Sequence, residues 1–257
     1  MSRRLGIGLT GLVLAILLLP AGILIIEAHP ATWSSIWAQP SMRQALWTTL
    51  GSGAIALSMV ILVGTPTAWV LARLSPAKVQ NTIGALLAVP LLLPPLVLGL
   101  VLAFFLGIQT PVGHWLAQMG ISGTNSWFGL IVAEMYEALP YYLLTAWAAF
   151  SSISPAYEEE LRVLGKSRWA VSRYVTWPMA RPGLTAAAAM AWARITGAFG
   201  APIVVAYHPT AMPVAIWIAL EAYGLPTALA LAAWLLLIGL PIPVWLNWRA
   251  QRVHLSR

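Results

Sequence analysis

The sequence predicts an all-α integral membrane protein of about six transmembrane helices, with both termini cytoplasmic. Three observations predict it. Hydrophobic residues make up 60% of the chain and charged residues 8%, where an ordinary soluble domain carries roughly 25% charged residues. Six apolar stretches are each long enough to cross a bilayer. The basic residues fall almost entirely on one side of those stretches. A water-soluble globule or a disordered chain of 257 residues would need far more than the 21 charged groups present here.

The first stretch, about 5–27, follows Arg3 and Arg4. A run of over 20 apolar residues is too long for the core of a usual signal peptide, so a retained helix is expected. The second, about 45–74, holds Gly51, Gly53, Gly64 and Pro66, which predict a bent or closely packed helix. The third, about 83–108, contains Pro90, Pro94 and Pro95; Pro94-Pro95 with Gly99 predicts a break or bend that would serve a gate. The fourth, about 127–151, includes Pro140. The fifth, about 183–206, opens near the alanine run 186–189. The sixth, about 225–247, ends among Trp245, Asn247 and Trp248. Between the fifth and sixth, Met212 to Leu220 is apolar but too short to span, which suggests a re-entrant or interfacial helix.

Charge orients these spans. With the N-terminus inside, the inner segments 1–4, 75–82, 152–182 and 248–257, with Arg73 at their edge, hold 12 of the 14 basic residues. Only Arg43 falls outside and Arg194 within a span, and the reverse orientation would contradict the positive-inside bias. The net charge of +7 is explained by this bias, and nucleic acid is not an expected partner. The outer segments, about 28–44, 109–126 and 207–224, are poor in charge. No linker separates a second domain, so residues 1–257 are expected to form one transmembrane domain.

Chemistry is excluded more easily than assigned. Cysteine is absent, Asp is absent and all seven acids are Glu. There is no thiolate site, no catalytic residue set, and no phosphate loop of the Gly-x-x-x-x-Gly-Lys-Ser/Thr kind. His29, His114, His208 and His254 show no metal-ligand spacing. A self-contained secondary transporter or channel finds support only in Glu134 and Glu137, and a membrane enzyme finds none.

The inner segment 152–182 carries eight of the 21 charges, from Glu158, Glu159 and Glu160 to Arg181. Ser154 and Pro155 predict a helix start, with the glutamates in the first turns where the helix dipole favours acids. Gly165 predicts a sharp turn, Ser167 the cap of a second short helix, and Pro178 its end. A charged two-helix knob on the inner face suits docking of a cytosolic partner.

Residues Glu159-Glu160-Leu161, Gly165 six positions after Glu159, and Val175-Thr176-Trp177-Pro178 resemble the Glu-Ala-Ala loop of ABC importer membrane subunits. The spacing matches at each step, and the departures are Glu160, Leu161, Val175 and Trp177. Within that family the chain resembles the molybdate-type permease. ALWTTLGSGAIALSMVILVGTPTAWVLAR, VPLLLPPLVLGLVLAFFLG and AWARITGAFGAPIVVA are similar to its second, third and fifth spans. Two features depart: Gly197-Ala198-Phe199-Gly200 replaces the usual Gly-Glu-Phe-Gly, and the outer loop from Tyr207 to Ala211 is short.

The resemblance implies a permease subunit of the prokaryotic inner membrane that pairs with a second copy and is fed by an extracytoplasmic binding protein. Two cytosolic ABC ATPases, which bind the ATP and Mg, would drive it; the chain itself needs no cofactor. Glu159, Glu160, Leu161, Gly165, Ser167 and Pro178 would couple to the ATPases. Arg194, Gly197, Phe199, Gly200, Pro94 and Pro95 would line or gate the pathway. The implied cargo is molybdate or tungstate, with sulfate or another small solute as the alternative. Arg194 would either meet an anion in the pathway or serve structure, paired with Glu134 or Glu137, which share a helix face, or snorkelling inward.

Overall fold

A computed structural model describes residues 3–27, 37–246 and 248. His29, His254 and the basic tail from Arg249 to Arg257 lie outside the described residues. Among those described, regular structure is entirely helical.

In chain order, α1 (Arg3–Glu27) is followed by the 34-residue α2 (Pro40–Arg73). Then come α3 (Ala77–Leu92), α4 (Pro95–Leu106) and a short α5 (Pro111–Gln118). The long α6 (Trp127–Ser151) leads to the short pair α7 (Pro155–Val163) and α8 (Arg168–Val171). A π turn at Ser172–Thr176 runs straight into α9 (Trp177–Thr196). The chain closes with α10 (Gly200–Val205), α11 (Met212–Tyr223) and α12 (Leu225–Gly239). Helix continues past a kink at Leu240, so the last apolar helix extends over Leu225–Leu246.

Among the described residues, two helices are by themselves long and apolar enough to cross a membrane, Pro40–Arg73 and Leu225–Leu246. The break expected at Pro94-Pro95 is present, and the third stretch is two helices, α3 and α4, meeting at 101°. Residues ahead of proline avoid the helical region. Leu93 and Pro94 accordingly have ψ of 129° and 136°, and Pro95 restarts the helix at a position that needs no N–H donor.

The fifth span also differs from expectation. Its helix begins at Trp177 rather than near 183, stops at Thr196 and resumes at Gly200. Pro178 does not end the preceding helix; it sits in the first turn of α9. The wider π turn before it, with the Trp177 N–H bonded to Ser172 O, relieves the clash that proline makes with a preceding carbonyl in a regular helix. By contrast α2 is one unbroken helix despite Pro66, so of the two readings its glycines allowed, close packing is the one observed.

The packing is inverted relative to a soluble protein. The central cluster, where α2, α6 and α9 meet, is rich in alanine: Ala56, Ala138, Ala146, Ala187 and Ala191 surround Val60, Tyr142 and Phe150. Large apolar side chains such as Leu62, Leu92 and Phe104 point outward, at 69%, 82% and 74% exposure. Lipid is as apolar as leucine, so helices gain nothing by hiding leucine; they gain by close approach of small residues. Gly64 shows it: a Cβ there would come within 2.7 Å of the Tyr142 ring. Hydrogen bonds between helices finish the contact, Thr65 to the Tyr142 hydroxyl at 2.6 Å and Trp192 Nε1 to Gly239 O at 2.9 Å.

The two bends are packed against each other. A Cβ on Gly99 would lie 2.8 Å from Ala201 Cα and 2.9 Å from Gly200 O, and one on Gly200 would lie 2.7 Å from Leu96 N. These neighbours are backbone and cannot swing aside. Gly99→Val should therefore lower stability in detergent by about 1–3 kcal/mol, the usual cost of overpacking. Gly84→Ala, whose new methyl meets only Trp147 ring atoms at 3.5 Å, should leave it unchanged or raised. Thermal midpoints of the two purified variants check this; equal midpoints would mean the bends are not in firm contact.

Candidate functional site: a broken-helix joint and a charged helix pair

The first site lies where the broken helices meet. Glu137, on α6, is buried, with its side chain 3% exposed. Its Oε2 accepts from Arg194 Nη2 at 3.1 Å, and its Oε1 accepts from the Ala201 backbone N–H at 3.2 Å. Arg194 stands in the last turn of α9 and Ala201 in the first turn of α10. One carboxylate thus holds the chain on both sides of the break. The Ala201 N–H is one of the donors that a helix start leaves without an intrahelical acceptor, and in a membrane such a group cannot turn to water.

Of the two roles open for Arg194, the structure shows the ion pair, and with Glu137 rather than Glu134. The guanidinium also lies over the Tyr141 ring, 4.8 Å from its centre, and its side chain keeps 37% exposure. Glu134 turns to α2 instead, where Ser52 Oγ donates to its Oε1 at 2.8 Å. Its other oxygen is buried with no hydrogen-bond partner among the described residues.

The six pathway candidates are largely brought together. Pro94 and Pro95 form the bend on which Gly200 rests. Phe199 is half-buried against Trp217 of α11, ring centres 5.8 Å apart. Gly197 is exposed and faces a groove toward α12, lined also by Ala193, Leu236 and Gly239. Among the described residues no three His, Cys, Asp or Glu gather as a metal site.

The second site is the charged segment 152–182. Ser154 caps α7 by accepting from Ala156 N at 3.4 Å, and Ser167 caps α8 by accepting from Ala170 N at 3.2 Å. Gly165 takes φ +79° between them, a left-handed conformation that favours glycine. The knob is anchored by a residue the sequence reading did not single out. Glu158 is buried and its Oε1 accepts from Arg73 Nε at 3.0 Å and from Thr176 Oγ1 at 2.8 Å, while Arg162 approaches Oε2 at 3.5 Å. Arg73 also donates to Ile153 O at 3.0 Å. Of three consecutive glutamates spaced 100° apart on a helix, only one can face inward, and the contacts with Arg73 and Thr176 show that it is Glu158.

Glu159 and Glu160 are exposed and Leu161 is half-buried. The turn beside Gly165 offers Val163 and Leu164 at 87% and 72% exposure. The α7–α8 pair thus displays acids and two aliphatic side chains, and Glu158 bonds it to Arg73 of α2 and to Thr176 ahead of α9.

Comparison with known proteins adds the family. The model of the binding-protein-dependent transport system inner membrane component matches residues 64–255. A probable molybdenum ABC transporter permease protein of Haloferax volcanii is 33% identical over 224 residues, which cover 87% of this chain and 81% of that protein. The sulfate transport system permease protein CysT of Escherichia coli is 30% identical over 219 residues, covering 82% and 78%. A chain of the bacterial alginate ABC transporter, solved in complex with alginate pentasaccharide-bound periplasmic protein, shares the fold at a TM-score of 0.76. Its identity is 16%, and the match covers 97% of this chain and 94% of that one.

Removing the Glu137 carboxylate leaves a buried donor and a half-buried cation without their partner. Glu137→Ala should cost about 3–5 kcal/mol of stability, as one-sided removal of a buried ionic partner does. Glu137→Gln keeps an acceptor for Ala201 and should cost less. Unfolding midpoints in detergent measure both; an unperturbed Glu137→Ala protein would show that the break is held by packing alone.

Proposed function

The chain belongs to the family of binding-protein-dependent transport system inner membrane components, and from that membership we propose that its 257 residues form one transmembrane domain carrying a small tetrahedral oxyanion, molybdate or tungstate, across the membrane. It is a multi-pass inner-membrane permease subunit of an ABC importer. The relative of Haloferax volcanii bears molybdenum in its name and that of Escherichia coli bears sulfate. Molybdate, tungstate and sulfate are all tetrahedral dianions, and the first relative favours the larger two.

The observation that carries the mechanism is the Glu158 anchor. Two cytosolic ATPases, each supplying its own ATP and Mg site, receive the α7–α8 knobs of two copies of this chain. Glu159 and Glu160 meet basic groups there, Leu161 supports the helix, and the turn at Gly165 lets the knob seat. Because Glu158 joins the knob to Arg73 of α2 and to Thr176 ahead of α9, closing the ATPases moves these helices rather than bending a loop. Ser167 and Pro178 keep the path from knob to α9 helical. The moving α9 reaches the break at Gly197, Phe199 and Gly200 beside Pro94 and Pro95, where the pathway opens outward to an extracytoplasmic binding protein. Arg194, already paired, offers the passing anion the exposed part of its guanidinium.

The test is ATP hydrolysis by the chain reconstituted in vesicles with its ATPase and binding protein. Molybdate- or tungstate-loaded binding protein should stimulate the rate, and sulfate should do so less. Stimulation by sulfate alone would move the cargo to sulfate; no response to any oxyanion would end the oxyanion reading. Gly165→Val places a β-branched side chain at positive φ and should abolish co-purification with the ATPase, whereas Gly165→Asn, which tolerates that conformation, should retain most of it.

A further inference from the structure

A cleft of about 550 Å³ opens where the inner-face segment turns into α9. It is lined by Trp169, Ser172, Arg173, Tyr174, Trp177 and Arg181. Nothing in the proposed coupling mechanism uses it. Trp169, Arg173, Trp177 and Arg181 follow one another at steps of four, so aromatic and guanidinium groups alternate along one face through the π turn. Arg173 lies over the Trp169 ring, 5.3 Å from its centre, which positions the cation at the cleft. Neither arginine makes a salt bridge among the described residues; Glu158, which accepts from Thr176 ahead of α9, is already taken by Arg73 and Arg162. Trp169 and Tyr174 are both 68% exposed. The cleft therefore carries two positive charges, no acid, and a flat apolar border.

Its height matters as much as its charge. Trp177 begins α9 and Arg181 stands one turn further in, so the cleft spans the boundary between the charged helix pair and the membrane-embedded helices. Tryptophan and tyrosine settle at that boundary, with the ring among acyl chains and the polar edge toward headgroups. Arginine there reaches back toward phosphate and engages it with two parallel N–H donors.

We propose that this cleft is a binding site for one anionic phospholipid of the inner leaflet, with Arg173 and Arg181 on the headgroup phosphate and Trp169, Tyr174 and Trp177 against the glycerol and upper acyl chains. The inference rests on the cytoplasmic placement of 152–182. It gives the turn between knob and α9 a lipid contact, so the composition of the leaflet bears on how firmly the knob is held.

The test is native mass spectrometry of the full-length permease in detergent with phosphatidylglycerol or phosphatidylcholine of the same acyl chains. Phosphatidylglycerol should be retained and phosphatidylcholine lost. R173Q/R181Q should weaken retention roughly 30-fold and each single variant about fivefold, as expected for two basic groups facing an anionic headgroup. Lys78→Gln, an inner-edge base outside the cleft, should change nothing. Equal loss in Lys78→Gln, or undiminished retention in R173Q/R181Q, would overturn the site. Displacement of the lipid by millimolar molybdate or inorganic phosphate would assign the cleft to a free oxyanion. Loss of ATPase co-purification in R173Q/R181Q would assign it to the ATPase. Should the double variant fail to fold, the single variants carry the same comparison. Labelling a Lys166→Cys protein from either side of sealed vesicles separates the two ideas: labelling only from outside would sink the cytoplasmic placement, whereas lipid retention in detergent is independent of orientation.

Discussion

Inside a bilayer no water is on hand to satisfy a backbone group, so a helix that breaks there must find protein partners for the ends it creates. Glu137 meets that demand for this fold. Its two oxygens take the guanidinium that precedes the break and the N–H that follows it. The same constraint explains why the second bend sits alongside: Gly99 and Gly200 bring the backbones of α4 and α10 close enough that each bend covers the other. With α6 supplying the carboxylate, three membrane segments share one joint.

Around this joint the bundle depends on smallness. Alanines fill the seam between α2, α6 and α9, glycine accommodates the Tyr142 ring, and a few side-chain hydrogen bonds fix the register. The aliphatic side chains that would form the core of a soluble protein cover the outside. Another such bond ties α11 into the bundle: its first N–H, that of Met212, is accepted by Thr49 Oγ1 of α2 at 2.7 Å. Buried hydroxyls here do the work that water does at helix ends elsewhere.

The inner-face segment follows the opposite logic. It is charged and largely exposed, yet it is not loose, because Glu158 is bonded to both the end of α2 and the turn ahead of α9. Force applied at the knob has a short, rigid route to the helices that meet at the joint. This continuity makes an ATP-driven importer a better reading of the chain than a self-contained carrier, for which Glu134 and Glu137 were the only support. Glu137 is occupied in holding the break, and Glu134 is bonded to Ser52.

Much of this was legible in the sequence. Composition alone determined the all-α membrane class, because so few charges cannot solvate a globule of this size. The glycine turn and serine caps of the inner segment were readable because caps and turns depend on single residues with local reasons. The break at Pro94-Pro95 was readable for the same reason, though not its angle of 101°. Pro178 misled, since whether a proline ends a helix or sits in its first turn depends on the carbonyls before it, and the π turn changed those. Which glutamate of 158–160 faces inward, and which of Glu134 and Glu137 takes Arg194, only the tertiary structure decided. Both choices turn on helical phase and on what the neighbouring helix presents, and a sequence records neither.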